Sequence, residues 1–594
     1  MPIKLIFGSL RWAHISLLLV GLMWVLPFLY YKHALPITTF YQEWSAAMLG
    51  VCAMSLLASK RYWQQPEIPR IVLLPIGLML LVLLQSLLGR VAYFSHALLS
   101  ELYLLWAALL IMLGHRLRVE LGLPQLATAL AVFLLLGTEL GAFAGILQNY
   151  RWHTVLNYVV SGKVGAAVVG NMGQPNHYAD YTTLGLISLG LLRMRWNMRA
   201  WQVVLLAAPL LFVLVLSGSR SAWVYLLFLT AMAYLWQRRD KSCAPLLRYS
   251  LLLLLGFGLM HLVVQIPWLA GVGGTETTLD RMSRQVGGKS IRMHIWQEAW
   301  LILTQFPLLG AGFGQFAWQH FLLGPSLHNP DIQGLYNNAH NLVMQIAAEM
   351  GLAGLLVLLG TLALWLWQAR KVALTSYHWW GYGVVAVLGI HSMLEYPLWY
   401  VYFLGVAALT LGLMDNTTFR LELRGLGRLA LAAMLLLGML TLLQAWQGYR
   451  TLEELRTLRP VSAVDEDYSR RVREGLVATQ GQALLQPYAE LVMSSLIEVS
   501  PDHLAEKRFL NESAMHFVPS NGAVYREALL LALSGEQAAA QLQIERAIWS
   551  YPGDFQRTRE QLRALALKDP AHFAALLEFA LKKYEEYQLA VSTK

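Results

Sequence analysis

Apolar stretches of about 17 or more residues, each long enough to cross a hydrocarbon core of roughly 30 Å at 1.5 Å rise per residue, recur from near Ala13 to about Trp446. A backbone in lipid must satisfy its own hydrogen bonds, so such a chain folds as membrane-spanning helices. About thirteen spans are expected, near 13–30, 40–59, 71–89, 97–114, 123–148, 176–193, 200–216, 221–237, 246–267, 341–368, 378–395, 397–414 and 428–447. The fold class expected is all-α and polytopic. Charged residues make up only 13% of the 594, against roughly a quarter in soluble domains.

Lys4 and Arg11 precede the first apolar run, but no small-residue cleavage site follows Tyr30-Tyr31-Lys32, so the run reads as a retained helix. Cys52 and Cys243 are the only cysteines, and neither a disulfide framework nor redox chemistry is expected. The net charge of +10 gains meaning once divided by side. Basic groups concentrate in alternate loops: Lys60, Arg61 and Arg70; Arg116 and Arg118; Arg193, Arg195 and Arg199; Arg238, Arg239, Lys241 and Arg248; Arg370 and Lys371; Arg420, Arg424 and Arg428. Those loops are assigned to the inside. The amino terminus then starts inside and an odd helix count puts the tail outside. Basicity reports topology, and no nucleic-acid partner is expected.

With that orientation two long segments, about 149–175 and 268–340, face the exterior, and loops of such length tend to be functional. The membrane domain is expected over 1–447. From 448 to 594 the composition becomes charged and helix-favouring, which indicates an outer helical domain. Pro519-Ser520-Asn521 and Pro552-Gly553-Asp554 stand 33 residues apart around a helix pair, one short of the tetratricopeptide period. A generic bundle and a short repeat platform both fit.

Helices beginning near Asn176, Ser221, Asn341 and Pro397 run from outside to inside, so their positive ends and free N–H groups point outward and favour an anion. Arg220 lies in the short turn Ser217-Gly218-Ser219-Arg220-Ser221, on the side where positive charge is disfavoured. Phosphate binding and a snorkelling turn arginine are the competing readings. Gly170-Asn171-Met172-Gly173-Gln174-Pro175-Asn176-His177 joins a glycine-permitted loop to a proline suited to a first helical turn. Asp180 and Tyr181 share a helix face with His177.

In the second long segment Arg281, Arg284, Lys289 and Arg292 precede His294–Phe306, whose Ile295, Ala299, Ile302 and Leu303 suggest a helix lying on the membrane surface. The basic groups suit either lipid headgroups or a pyrophosphate. Pro307 to Gly314 is glycine-rich but lacks the P-loop lysine and a preceding strand, so it is not a nucleotide site. Asn337-Asn338-Ala339-His340-Asn341 gathers amides around one histidine where the loop enters an apolar helix. Asn341, Gln345 and Glu349 then descend one face, as do His391 and Glu395 on a later helix; hydrogen bonding between segments accounts for Gln345 and Glu349.

Gly173-Gln174-Pro175-Asn176-His177, Ser217-Gly218-Ser219-Arg220-Ser221, the Arg292–Phe316 run with its Pro-Leu-Leu-Gly-x-Gly-x-Gly core, and Ala339-His340-Asn341 ahead of Glu349-Met350-Gly351 together resemble the O-antigen ligase and polymerase superfamily. Within it the chain most resembles the PglL-type protein O-oligosaccharyltransferases of Gram-negative bacteria. The resemblance implies a GT-C-type fold in the bacterial inner membrane, with a periplasmic active site and a periplasmic C-terminal domain. It implies en bloc transfer of a glycan from an undecaprenyl pyrophosphate carrier to Ser or Thr hydroxyls of exported proteins such as pilins, without metal or other cofactor. It assigns His340 as the essential loop histidine, Arg220 as the pyrophosphate-facing arginine, and Gln174 and Asn176 as the polar loop motif. His177, Arg281, Arg284, Arg292, Asn338 and Asn341 are the further substrate-binding candidates.

The chemistry fits those roles. A hydroxyl attacking an anomeric carbon sheds its proton, and imidazole, with an ordinary pKa of about 6.5, suits that work near neutrality. Guanidinium binds the departing phosphate oxygens in pairs. A metal-dependent alternative needs acidic ligands, yet the long loop offers only scattered Glu276, Asp280, Glu298 and Asp331, and Trp379-Trp380 is followed by Gly381. An O-antigen ligase acting on lipid A-core, a polymerase, or a carrier transporter are the alternative functions.

Overall fold

The computed structural model describes residues 12–151, 154–163, 165–266, 269, 271, 291–372, 374–421, 423–458 and 466–592. Arg281, Arg284 and Lys289 lie outside them. The longer helices are α1 (Trp12–Met23), α2 (Phe40–Ala53), α3 (Leu73–Leu87), α4 (Phe94–Leu121), α5 (Leu123–Tyr150), α6 (Pro175–Trp196), α7 (Ala200–Leu216), α8 (Ser221–Arg239), α9 (Ala244–Val263), α10 (Ile291–Gln305), α11 (Phe316–Leu327), α12 (Leu342–Ala369), α13 (Ser376–Ser392), α14 (Val401–Met414) and α15 (Arg424–Thr457). The carboxy-terminal part continues as α16 (Glu466–Gln480), α17 (Gln486–Ser495), α18 (Leu504–Phe517), α19 (Asn521–Leu533), α20 (Gln537–Ser550), α21 (Phe555–Lys568) and α22 (Pro570–Ser592).

Among the described residues seven helical stretches are long and apolar enough to cross a membrane: Trp12–Leu29, Arg70–Leu87, Phe94–Leu121, Leu123–Tyr150, Lys241–Val263, Leu342–Ala369 and Gly425–Thr457. Ala200–Leu216 and Val401–Met414 are shorter apolar helices. The chain is an all-α, multi-pass membrane protein. Its contacts divide it into two compact units, the first Met1–Gly77, Tyr103–Gly288 and Leu358–Leu443, the second Leu78–Leu102, Lys289–Val357 and Gln444–Lys594.

In the first unit α6 is the central helix, with every residue from His177 to Leu192 buried. That explains how it carries Asp180, Thr182, Thr183 and Ser188: these face protein. Thr182, Thr183 and Ser188 return their hydroxyls to carbonyls four residues back, at 2.7 to 2.8 Å, while Tyr178 and Tyr181 donate to Gly141 O and Trp24 O. Small residues allow close crossing. A Cβ on Gly412 of α14 would lie 1.9 Å from Ile111 O of α4, and one on Gly114 of α4 would lie 2.2 Å from Leu409 O.

Two short strands, β1 (Glu67–Pro69) and β2 (Thr418–Arg420), pair antiparallel with Glu67 opposite Arg420. Both belong to loops that the charge pattern assigns to the same side. Arg118, in the last turn of α4, donates to Leu413 O and Asn416 Oδ1.

The second unit is organised by a break in α12. At Gly351 the backbone turns to φ 63°, ψ −159°, a conformation open in practice only to glycine. An unbroken helix pairs each N–H with the carbonyl four residues back, so the break strands the carbonyls of Ala348 and Glu349 and the N–H groups of Leu352 and Ala353. The Pro307–Gly312 segment takes up all four: Ala311 N donates to Ala348 O and Gly312 N to Glu349 O, while Leu352 N donates to Pro307 O and Ala353 N to Leu308 O, at 2.9 to 3.1 Å. The approach is so close that a Cβ on Gly310 (φ 69°) would sit 2.2 Å from the Glu349 carbonyl carbon. The side chain of Gln85 locks the joint, donating to Glu349 O and accepting from Phe313 N, and Arg90 donates to Gly310 O.

The expectation for α10 is half met. The helix forms, but Ile295, Ala299, Ile302 and Leu303 are buried, and the first three cluster with Phe316, Ala339 and Ala348. Burial at roughly 1.5–3 kcal/mol per large side chain favours this inward packing. The exposed apolar residues of α10 are instead Ile291, Met293 and Trp300. Within the same unit α11 inserts Phe321 into the core formed by α18 to α22. The Pro519 and Pro552 punctuation falls before the helix pairs α19–α20 and α21–α22, tied by Tyr551 OH to Pro519 O and by Asn521 to Asp554.

Replacing Gly412 by Ala is expected to destabilise the protein by about 1–3 kcal/mol. Gly389→Ala, where nothing lies within 4 Å, leaves stability unchanged or slightly raised. Thermal unfolding of the two purified variants in detergent measures the difference.

Candidate functional site

The start of α6 is built on backbone groups held by amide side chains. Gln148, at the end of α5, accepts from Val169 N and Gly170 N and donates to Ser161 O and Gly170 O. Asn171 accepts from Ser161 N and donates to Leu29 O and Val159 O at 2.7 to 2.9 Å. Gln174 then caps the helix, its Oε1 accepting from His177 N, with Pro175 in the first turn. Asn176 is engaged at both ends: Nδ2 donates to Glu395 Oε1 and Oδ1 accepts from Ser219 Oγ, both at 2.8 Å. His177 is buried among the rings of His391, Tyr400 and Phe403, whose centroids lie 4.9 to 5.4 Å away. Tyr225 OH and His391 Nδ1 are 2.8 Å apart.

Ser219 thereby fixes the turn that presents Arg220. Gly218 takes φ 65°, Ser219 N donates to Ser217 Oγ, and Arg220 occupies the N-cap position of α8 without using its side chain as a cap. Its guanidinium is exposed. Among the described residues it has no hydrogen-bond or ion-pair partner, although Asn176 and Ser219 beside it are fully committed. The fold thus brings Gln174, Asn176, His177 and Arg220 together in the first unit.

Asn338, His340 and Asn341 come together in the second. His340 stands at φ 50°, in the left-handed region that costs a non-glycine residue of the order of 1–3 kcal/mol. The surroundings hold it there. Trp296 Nε1 of α10 donates to Ala339 O at 3.0 Å, Ala339 N donates to Gln345 Oε1 at 2.6 Å, and His340 N donates to Asn338 Oδ1 at 2.8 Å. Asn341 Oδ1 caps α12 by accepting from Val343 N and Met344 N. The carboxylate of Glu349 accepts from Phe316 N. Gln345 and Glu349 are therefore structural, as expected, although they bind loop backbone. The backbone on both sides of His340 is fixed while its imidazole stays half-buried. The buried amide nitrogen of Asn338 has no hydrogen-bond partner among the described residues. Arg292 sits in the first turn of α10 and is partly exposed.

Gln148, Trp296 and Gln85 escaped the sequence reading as site-builders. A polar amide late in an apolar run was the signal for Gln148 and Gln85; nothing local marks Trp296. Among the described residues no group of three or more His, Cys, Asp or Glu is placed to hold a metal ion.

Comparison with known proteins falls on these segments. The family described as protein glycosylation ligase matches residues 168–192, covering the Asn171 loop and most of α6. The O-antigen ligase family matches 203–359, from α7 through Arg220, His340 and the break in α12. The family described as virulence factor membrane-bound polymerase, C-terminal, matches 379–565. The chain is related to the PglL-type protein O-oligosaccharyltransferases. A general O-oligosaccharyltransferase of Acinetobacter baylyi (strain ATCC 33305 / BD413 / ADP1) is 27% identical over 75% of this chain and 77% of its own length. A ComP-specific O-oligosaccharyltransferase of the same organism is 22% identical over 62% of this chain and 65% of its own.

Gln345→Leu leaves the buried N–H of Ala339 without an acceptor, at a cost of about 1–3 kcal/mol. Hydrogen exchange of the 336–344 backbone in the purified variant is expected to accelerate at least several-fold relative to wild type, while that of α6 is unchanged.

Proposed function

We propose that this chain is a metal-independent glycosyltransferase that moves a preassembled glycan from undecaprenyl pyrophosphate to Ser or Thr hydroxyls of exported proteins, pilins among them. It acts at the periplasmic face of the bacterial inner membrane. The observation that carries the reading is His340 itself: an imidazole on a strained, fully braced backbone, inside the O-antigen ligase match.

His340 accepts the proton of the acceptor hydroxyl as its oxygen bonds to the anomeric carbon. The bond from that carbon to the carrier phosphate breaks with its electron pair on the pyrophosphate. Arg220 and the N–H groups at helix starts stabilise that growing charge, and an exposed guanidinium with no partner among the described residues supports the role. The hydroxyl attacks opposite the leaving group, so the configuration inverts. Gln174, Asn176, His177, Asn338, Asn341 and Arg292 shape the substrate surroundings, as do Arg281 and Arg284. Residues 448–594 form a periplasmic domain that docks the folded acceptor. The O-antigen ligase and polymerase matches favour a second reading, in which the acceptor is lipid A-core or a carrier-linked glycan.

Purified protein with lipid-linked glycan and pilin separates these readings by the acceptor that becomes labelled. Carrier movement without covalent transfer would refute both. His340→Ala is expected to lose transfer by about 100-fold or more with membrane expression intact. Arg220→Lys keeps more activity than Arg220→Ala, because an ammonium retains charge but not the paired donors. Exhaustive chelation leaves the rate unchanged; a loss restored only by Mg²⁺ or Mn²⁺ would overturn metal independence.

A further inference from the structure

A cleft in the second unit lies apart from the groups assigned above. It has a volume of about 280 Å³ and is lined by His294 and Glu298 of α10 and by the Leu327–Ile332 segment. It continues into a smaller recess reaching His320, Trp549 and Ser550. The Glu298 and His320 side chains are only 3% and 6% exposed, with 2.6 Å between Oε2 and Nδ1. His320 Nε2 is 3.3 Å from Gly334 O. Two of the lining residues carry buried nitrogens, Trp549 Nε1 and His294 Nε2, that have no hydrogen-bond partner among the described residues. The nearest carboxylate oxygen to His294, on Asp331, is 3.9 Å away.

A buried donor left unpaired costs about 1–3 kcal/mol, so a ligand that supplies oxygen there is favoured. Carboxylate and amide oxygens, indole and imidazole nitrogens and the apolar wall of Ile332 match a ring whose hydroxyls both donate and accept. A phosphate is disfavoured by the Glu298 carboxylate, and an acyl chain by the polar lining. The position is also informative. Trp296, two residues before Glu298, grips Ala339 O, and the chain from Gly334, beside His320, reaches His340 in six residues, at most roughly 20 Å.

We propose that this cleft is a saccharide subsite holding a sugar of the transferred glycan beyond the one that reacts, a role that rests on the transferase reading. A glycan seated there places its reducing end toward His340 and makes longer donors bind better than short ones.

The test uses full-length protein and two donors: the lipid-linked glycan extracted from producing cells, and the same donor trimmed to its reducing-end sugar. Trp549→Phe, which keeps the ring and removes the N–H, and His294→Ala are each expected to raise KM for the intact donor about tenfold, the worth of one such hydrogen bond. The value of kcat and the KM for the trimmed donor stay unchanged. Equal effects on both donors, or none on either, overturn the subsite while leaving the transferase reading intact. Binding of the free glycan, released by mild acid, is measured in parallel. Wild type that binds it but transfers nothing, with binding lost in Trp549→Phe, keeps the subsite and refutes the transferase reading. Wild type that neither binds it nor transfers refutes both.

Discussion

A transmembrane helix that breaks must find new partners for the backbone groups it releases, and the break at Gly351 sets much of the second unit. Four stranded groups meet four matching groups of the Pro307–Gly312 segment, in surroundings where an unpaired amide costs several kcal/mol. The exchange needs glycine on both sides, since Gly310 lies too close to the Glu349 and Met350 backbone for a Cβ, and Gly351 too close to that of Leu308 and Gly310. Once the segment is docked, the directions of α10 and α11 follow. Their shared cluster with Ala339 then fixes the approach to His340.

The two groups of functional side chains are made in the same way. Amide side chains engage their neighbours and hold the chain around one charged or titratable residue. At the start of α6 this logic commits Gln174, Asn176 and Ser219 and presents Arg220. At the start of α12 it commits Asn338 and Asn341 and presents His340. The positive φ of His340 fits an energetic asymmetry: strain is tolerated because three hydrogen bonds on the backbone of Ala339 and His340 resist its release.

Much of this was legible in the sequence. Apolar runs marked the spans because lipid imposes a length, and alternate basic loops marked which connections share a side, as the β1–β2 ladder illustrates. The Asn338–Asn341 run was visible because polar groups at an apolar boundary are unusual. The rest depended on partners remote in the chain. Gln85 meets Phe313 across 228 positions, and no periodicity in α3 announces it. The stripe on α10 was read correctly as apolar and assigned to lipid, because a pattern of residues does not say which apolar medium it faces. The oxygens of Gln174, Asn338 and Asn341 accept from backbone N–H groups, and that of Asn176 accepts from Ser219 Oγ, partners that the sequence does not announce. Composition alone does not separate a capping amide from a binding one.

The interlock at Gly310 and Gly351 makes the loop between α10 and α11 part of the membrane fold. Pro307–Gly314 supplies the pairing that lets α12 persist through its interruption, so the two mature as one object. A hybrid that grafts this segment from a relative onto a foreign α12 would separate matched halves, and the natural unit of exchange runs without interruption from α10 past Gly351.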